Sequence, residues 1–541
     1  MKSYLHIWHS LLIITISLVA ILMLSGSGGC TKEPISKDDP QEEPFVRLLE
    51  DQTLESKLLN FPVNYAVLLP EEYELSTDSF PVIYLLHGYG DNHTAWYKGG
   101  SIQYYADQNI NQTGPTIYVM PQGFNSYYVN KYNGYFPYMD MFVDELVPTI
   151  DSLFRTKKSN TQRAVMGYSM GGYGALILPA MNPDVFSISV PLSMSFRTDE
   201  QYMTQSQDGW NAQFGSVFGG SGTTGAERLN DYYKAHSPFH FFDKDDLSQF
   251  SELKLFLDCG DDEESLHITN GELHNLLRNR EFNHEYRVRN GGHSWNYWHA
   301  SLKEAFKFIG YGFRGIPYPE EPTPIEVGET VTANQYSFKN LSGITESIGV
   351  FVPENYESVT ESFPVIYFLH DNENQNREDN LVQLLSLLNN KMKAGDIPNS
   401  IIIEILMDNN DFTSSTLSEI QDQINSNYRT KVEKQNSVVI ANGIGGEKAL
   451  DILADNPNLF NGCFMFNSKI PNESAGIPGV FFYVDLTDNS ISHTGNYNLF
   501  INLWENEIRH EYRVRQGDQS FQSFLNGLEN SVSLINVYLK N

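Results

Sequence analysis

Short runs of β-branched and aromatic residues recur along the chain, and between them apolar positions repeat at helical spacing. Asn64 to Leu69, Pro81 to Leu86, Thr116 to Met120, Ala164 to Met166, Ile188 to Leu192, Lys254 to Leu257 and Glu285 to Arg289 read as strands. Met141 to Phe154 reads as an amphipathic helix, Gly172 to Pro179 as the start of a second, and Ala300 to Ile309 as a closing one. Strands that alternate with helices argue an α/β fold, a mostly parallel sheet flanked by helices.

The pattern occurs twice. Ser79-Phe-Pro-Val-Ile-Tyr-Leu-Leu-His87 recurs as Ser362-Phe-Pro-Val-Ile-Tyr-Phe-Leu-His370, and His284-Glu-Tyr-Arg-Val-Arg289 recurs unchanged as His510-Glu-Tyr-Arg-Val-Arg515. Between these, Val165-Met-Gly-Tyr-Ser-Met-Gly-Gly pairs with Val439-Ile-Ala-Asn-Gly-Ile-Gly-Gly. The proline-rich run Gly315 to Pro324 separates the copies and reads as a semi-rigid linker. The expectation is two tandem domains, 46–314 and 326–541, joined by residues 315–325.

Charge and the N-terminus bear on partners and address. At 541 residues and a formal net charge of −31, the chain lacks the clustered Lys and Arg that a nucleic-acid partner needs. Lys2, the apolar run Leu11 to Leu24 and the small residues Ser25 to Gly29 have the flanks of a secretion signal, too short to span a bilayer. Cys30 follows directly, as at a bacterial lipoprotein processing site. Residues 1–30 are therefore expected to be a leader with Cys30 as the lipidated residue, and the polar, proline-rich 31–45 a flexible tether. The expected location is the cell envelope, with a lipid anchor in the outer membrane. Cys259 and Cys463 lie in apolar, strand-like contexts and read as buried free thiols. There is no Cys/His cluster at ligand spacing, and neither a metal nor an organic cofactor is called for.

The chemistry concentrates around Gly167-Tyr168-Ser169-Met170-Gly171, a G-x-S-x-G placed where a strand turns into a helix. A serine hydroxyl needs a base to become a nucleophile, and the base needs an orienting acid. After Ser169 come the carboxylate-rich turn Leu257-Asp-Cys-Gly-Asp-Asp-Glu-Glu264 and then Asn290-Gly-Gly-His293, a histidine on a Gly-rich loop after a strand. An oxyanion would be met by two main-chain N–H groups, those of Met170 and, in the loop His87-Gly-Tyr-Gly90, Tyr89. His87, His267, His274 and His299 read as structural or solvent-exposed histidines.

His87-Gly-Tyr-Gly, Gly167-Tyr-Ser-Met-Gly-Gly, Cys259-Gly followed by acids, and Gly291-Gly-His-Ser-Trp together resemble the esterase branch of the α/β-hydrolases. That branch includes feruloyl and acetylxylan esterases, formylglutathione hydrolase, siderophore esterases and mycolyltransferases. The resemblance covers residues about 50–315 with all motifs and about 330–541 as fold only. It implies Ser169 as nucleophile, His293 as base, and an acid three residues after the glycine of the Cys-Gly motif. That position is Glu263, with Asp262 as the alternative.

In the second copy Ser169 becomes Gly443, His293 becomes Gln519, Glu263 becomes Asn489, and His87-Gly-Tyr-Gly becomes His370-Asp-Asn-Glu. The interval from Gly443 to Gln519 also lacks most of a segment matching Arg197 to Phe242, where this fold inserts lids and substrate walls. The second domain reads as degenerate and non-catalytic. Trp96, Tyr128 and Trp295, with Tyr97, Tyr127, Trp210 and Trp298, lie in loops beside the motifs and are candidates for stacking on a sugar or phenolic group. The expected function is a lipid-anchored serine carboxylesterase acting on feruloyl or acetyl esters of a plant polysaccharide or oligosaccharide. The alternatives are a siderophore esterase, an acyltransferase of the same fold, or a glycan-binding or scaffolding lipoprotein.

Overall fold

The computed structural model describes residues 45–539 apart from 333, 345, 372–375 and 408–411. Cys30, the leader and residues 31–44 of the tether lie outside the described residues. In the first half the strands are β1 (Leu48–Ser56), β2 (Phe61–Leu68), β3 (Val82–Leu86), β4 (Ile117–Pro121), β5 (Arg163–Tyr168), β6 (Ile188–Leu192), β7 (Lys254–Gly260) and β8 (Glu285–Arg289). In the second they are β9 (Tyr336–Lys339), β10 (Ser347–Phe351), β11 (Val365–His370), β12 (Ile401–Leu406), β13 (Ser437–Asn442), β14 (Gly462–Phe466), β15 (Phe481–Thr487) and β16 (His510–Arg515).

All sixteen form one sheet, in the order β1-β2-β4-β3-β5-β6-β7-β8-β16-β15-β14-β13-β11-β12-β10-β9. Read inward from either end the order is the same, so each half has the same topology and the halves meet through their last strands. Within each half every pair is parallel except those made by the two outermost strands. β8 and β16 pair antiparallel about Val288 and Val514, which gives the seam a local two-fold symmetry.

Sequence explains the layering. β3, β5 and β6 are buried along their whole length, as strands covered by helices on both faces must be. At the seam the repeated Tyr-Arg-Val-Arg alternates instead. Tyr286, Val288, Tyr512 and Val514 join an apolar layer that runs under both halves. On the other face the apolar packing is divided into one cluster per half. Arg287, Arg289, Arg513 and Arg515 line a cleft of about 680 Å³ at the seam on β8 and β16.

The connecting run 315–325 is anchored at its middle: Tyr318 lies against Phe308 and Tyr311, and Gln516 Nε2 donates to the Pro319 carbonyl 2.5 Å away. Val46–Asn541 accordingly behaves as one compact unit. Helix Leu266–Asn279 of the first half packs on His493–Glu505 of the second, where Tyr497 lies over Gly271 and donates its hydroxyl to the Ile268 carbonyl at 2.9 Å.

Two elements differ from the pattern-based expectation. β1 carries mostly polar, half-exposed residues, as an edge strand can, so no alternation announces it. The helix expected over Met141 to Phe154 begins at Tyr138 and passes through a π-helical stretch, Met141–Leu146, just before Pro148. A proline has no N–H to give to the regular ladder, which accounts for the widened turns there. Cys259 and Cys463 are buried free thiols in β7 and β14.

Because sheet and apolar layer are shared, calorimetry is expected to show one unfolding transition for both halves. Tyr497→Ala should lower its midpoint through loss of about 3 kcal/mol. Two separated transitions would contradict the shared core.

Candidate active site

Ser169 sits between β5 and the helix Met170–Met181 with φ 58° and ψ −120°, a backbone conformation that costs a non-glycine residue on the order of 1–3 kcal/mol. Neighbouring contacts hold it there. Its N–H donates to the Leu192 carbonyl at 3.0 Å, and its carbonyl accepts from the Ser195 N–H at 2.9 Å. The flanking glycines are steric necessities: a Cβ at Gly167 would lie 2.3 Å from the Gly171 carbonyl oxygen, and one at Gly171 would lie 2.3 Å from that of Leu86.

The loop after β3 passes directly beside the nucleophile, since a Cβ built on Gly88 would stand 3.4 Å from Ser169 Cβ. The main-chain N–H groups of Met170, at the helix start, and of Tyr89, in this loop, thus belong to the two segments that flank Ser169. Several bonds set the loop. His87 is buried, with Nε2 accepting from the Gly123 N–H and Nδ1 facing the Gly88 carbonyl, each at 2.8 Å. Burial lowers its pKa, which suits a neutral structural imidazole. Gly90 N–H donates to Asn125 Oδ1 at 2.9 Å, and the Tyr168 hydroxyl donates to Asp91 Oδ2 at 2.6 Å. Neither Asn125 nor Asp91 carries a signal in the sequence.

The candidate base and acid come from the loops after β8 and β7. His293 Nδ1 lies 2.6 Å from Glu263 Oε2; the Glu263 side chain is wholly buried, whereas that of His293 is 40% exposed. Glu263 is therefore the carboxylate placed to orient the imidazole, and Asp262, exposed on the same turn, is not. The other Glu263 oxygen accepts from the hydroxyl of Ser193, which in turn accepts from Trp298 Nε1 at 2.8 Å. Ser193 has φ 48°, a second strained position, and nothing in the sequence marks it. Trp298 also stacks on Tyr168, with ring centroids 4.3 Å apart, and its edge meets His293. One indole thus touches the base, the strut of the acid and the residue before the nucleophile.

The aromatic side chains expected to stack on a substrate are mostly core. Trp96 is buried with its N–H given to the Leu86 carbonyl at 3.0 Å, and Tyr128 is buried with its hydroxyl given to that of His87 at 2.9 Å. Tyr127, Trp210 and Trp298 are buried as well, so none of these rings presents a face to solvent. Trp295 is half-buried, packed between Trp96 and His299. Tyr89 is 41% exposed, and its hydroxyl reaches the Ala212 carbonyl at 3.2 Å. The inserted segment 197–242 folds as short helices whose Tyr202, Trp210, Phe214, Phe218 and Tyr233 form one aromatic cluster. That cluster sits on Tyr173 of the helix Met170–Met181. Among the other histidines, His267 and His274 are buried and His299 stacks on Tyr105.

The second half repeats the backbone of the site with other side chains at its positions. Gly443 repeats the φ of 58°, and its carbonyl accepts from Lys469 as that of Ser169 does from Ser195. The Ile444 N–H, the counterpart of that of Met170, donates to Asp371 Oδ2 at 3.1 Å. A Cβ at Gly443 would lie 2.5 Å from that same oxygen, so a carboxylate occupies the space a serine would need. Gln519 stands in the place of His293, two residues after Gly517, which has a positive φ like Gly291. The counterpart of Glu263 is Ser490, a correction to Asn489. His493 N–H bonds the Ser490 carbonyl as Leu266 N–H bonds that of Glu263, at the same step before the following helix.

Residues 56–309 match the model of the Esterase family, described as "Putative esterase". An endo-1,4-beta-xylanase/feruloyl esterase of Xylanibacter ruminicola is 34% identical over 114 residues, 20% of this chain and 16% of that protein. An acetyl esterase of Caldicellulosiruptor saccharolyticus is 22% identical over 286 residues, 47% of this chain and 95% of that protein. A solved ferulic acid esterase aligns with a TM-score of 0.42 at 25% identity, over 49% of this chain and 98% of its own. This chain thus spans about a sixth of the xylanase/feruloyl esterase and nearly all of the acetyl esterase.

If Glu263 orients the base, Glu263→Gln should lower kcat on p-nitrophenyl acetate by about 10⁴-fold. Ser193→Ala, which removes one of the bonds holding Glu263, should lower it by about tenfold. Equal rates for Glu263→Gln and the unaltered chain would exclude this acid.

Proposed function

We propose that the esterase-family domain in residues 56–309 is a serine carboxylesterase. The observation that carries this reading is the strained Ser169 beside the oxyanion loop, in the same half as the buried Glu263 paired with His293. Ser169 Oγ attacks the ester carbonyl while His293 takes its proton, and Glu263 holds the imidazole and stabilises its positive charge. The N–H groups of Met170 and Tyr89 receive the oxyanion. His293 then protonates the departing alcohol, and water repeats the sequence on the acyl-enzyme. A sugar hydroxyl in place of water would give acyl transfer by the same steps.

The substrate we favour is a feruloyl or acetyl ester on plant polysaccharide. Its support is the similarity to a xylanase/feruloyl esterase and to an acetyl esterase, together with an N-terminal run and Cys30 that resemble a lipoprotein leader and suit an encounter outside the cytoplasm. In this reading Cys30 carries a lipid that tethers the enzyme to the outer membrane. The second half, with Gly443, Ser490 and Gln519 at the three positions and Asp371 against the Ile444 N–H, is read as non-catalytic.

Protein lacking residues 1–30 should hydrolyse at least one of p-nitrophenyl acetate, methyl ferulate and acetylated xylan. Ser169→Ala should abolish that turnover, a loss on the order of 10⁴-fold or more in kcat. Turnover that survives in Ser169→Ala would rule the proposal out, and the preferred ester identifies the acyl group.

A further inference from the structure

The second half contributes a contact to the catalytic loops of the first. Asp261 lies two residues before Glu263, buried where β7 ends. Its Oδ1 accepts from the N–H of Gly291, two residues before His293, at 3.1 Å. Its Oδ2 accepts from two groups of the other half, the N–H of Tyr512 at 3.1 Å and Nη1 of Arg513. Two further bonds tie the same turn together: Asp261 N–H to the Arg289 carbonyl at 3.1 Å, and Asp262 N–H to that of Gly291 at 3.2 Å. One carboxylate therefore joins the acid's turn, the base's loop and β16.

Arg513 is itself oriented from its own half. Nη2 is held by Glu511, and Nη1 also donates to the Tyr512 carbonyl at 2.7 Å. Its side chain is 14% exposed and that of Asp261 5%, so the pair is shielded from solvent. Burial pushes the Asp261 carboxyl up to about 6, while the Arg513 charge works in the opposite direction and favours the ionised form.

Resting on the carboxylesterase reading, we propose that the second half works as a built-in positioning subunit. Arg513 and the β16 main chain hold Asp261, and Asp261 holds the Glu263 turn and the His293 loop in register. Asp261 and Arg513 are positioning residues and touch no substrate. A serine–histidine–acid site depends on angles and distances that a displacement of about 1 Å degrades up to 10²-fold.

The two-fold seam supplies an internal control. Asp488, the counterpart of Asp261, accepts from the Tyr286 N–H at 3.3 Å and from Arg287 Nη1 at 2.7 Å. The same carboxylate–arginine exchange thus runs in the opposite direction, from the second half's turn to the first half's strand. It lies before Ser490 rather than before a catalytic acid. If the exchange matters only for joining the halves, breaking either copy should have the same effect.

The test uses the otherwise unaltered chain and three variants, Arg513→Met, Asp261→Asn and Asp488→Asn, each checked by circular dichroism and thermal midpoint. Two readouts follow: kcat and KM on p-nitrophenyl acetate, and the far-downfield proton resonance of the His293–Glu263 hydrogen bond, which requires no turnover. Arg513→Met and Asp261→Asn are expected to lower kcat about 10–100-fold with KM little changed, and to broaden that resonance. Arg513→Lys should restore part of the loss. Asp488→Asn should lower the thermal midpoint comparably and leave kcat and the resonance as they were. The proposal is overturned if Arg513→Met keeps both within twofold of the unaltered chain, or if Asp488→Asn loses as much of both. An unaltered chain that shows the resonance but hydrolyses no ester would count against the carboxylesterase reading, and the resonance would still decide the role of Arg513.

Discussion

The seam between β8 and β16 constrains everything around it. A repeated Tyr-Arg-Val-Arg in antiparallel register sends four apolar side chains into the shared layer and four guanidinium groups to the opposite face. Guanidinium groups removed from water are costly unless paired and hydrogen-bonded. Here Arg287 meets Glu285, Glu304 and Asp488, Arg289 meets Asp258 and Glu304, Arg513 meets Asp261 and Glu511, and Arg515 meets Asp485. Asp258, Asp261 and Glu285 come from the strands and turn that precede the loops of Glu263 and His293, and Glu304 from the helix that follows them, while Asp485, Asp488 and Glu511 hold the corresponding places in the second half. Through Arg289 and Arg513, these pairs order the ends of β7 and β8, from which Glu263 and His293 are presented.

Ser169 and Gly443 separate backbone from chemistry. Both adopt the same positive φ at the same step between strand and helix, and in both the carbonyl is held by a main-chain N–H from the loop after the next strand. The conformation thus belongs to the turn and not to the serine, since glycine reaches it without strain. Only the first half places a hydroxyl on that turn and leaves the loop beside it as Gly88 and Tyr89. In the second, the residue matching Gly88 is Asp371, and its carboxylate bonds the Ile444 N–H. The helix N-terminus proposed to receive an oxyanion in one half binds an internal anion in the other.

Much of this was legible in the sequence, for identifiable reasons. The parallel strands β3, β5, β6 and β7 are buried on both faces, so they appear as unbroken apolar runs bounded by turn residues. Ser169 and His293 are marked by glycines whose missing Cβ atoms the geometry requires. Glu263 was distinguishable from Asp262 only by its place after Cys-Gly, because three adjacent carboxylates look alike until a turn buries one of them. The opposite failure came from the aromatic residues. Their nearness to the motifs in sequence is real, but Trp96, Tyr127 and Tyr128 turn inward and spend their polar atoms on main-chain carbonyls, the loop or the inserted segment. Ser193 was invisible because a serine after a strand has no pattern; only its positive φ and its bond to Glu263 set it apart.

The relation between the halves was half legible. Repeated hexapeptides announced a duplication, and a proline-rich run suggested two domains joined by a semi-rigid linker. Proline content alone does not distinguish a free linker from one laid against a surface, and here Tyr318 and Pro319 are packed at the seam. The repeated strand itself held the missing information. A last strand that alternates apolar and charged residues cannot be an interior strand covered on both faces by apolar helices, and left as an edge it would expose unpaired main-chain groups beside Tyr286 and Val288. Pairing with its own copy satisfies the main chain, buries the apolar positions in a common layer and gathers the arginines where carboxylates from both halves can reach them. A strand sequence that suits pairing with itself is the same in both copies, whereas the residues at the positions of Ser169, Glu263 and His293 differ between them.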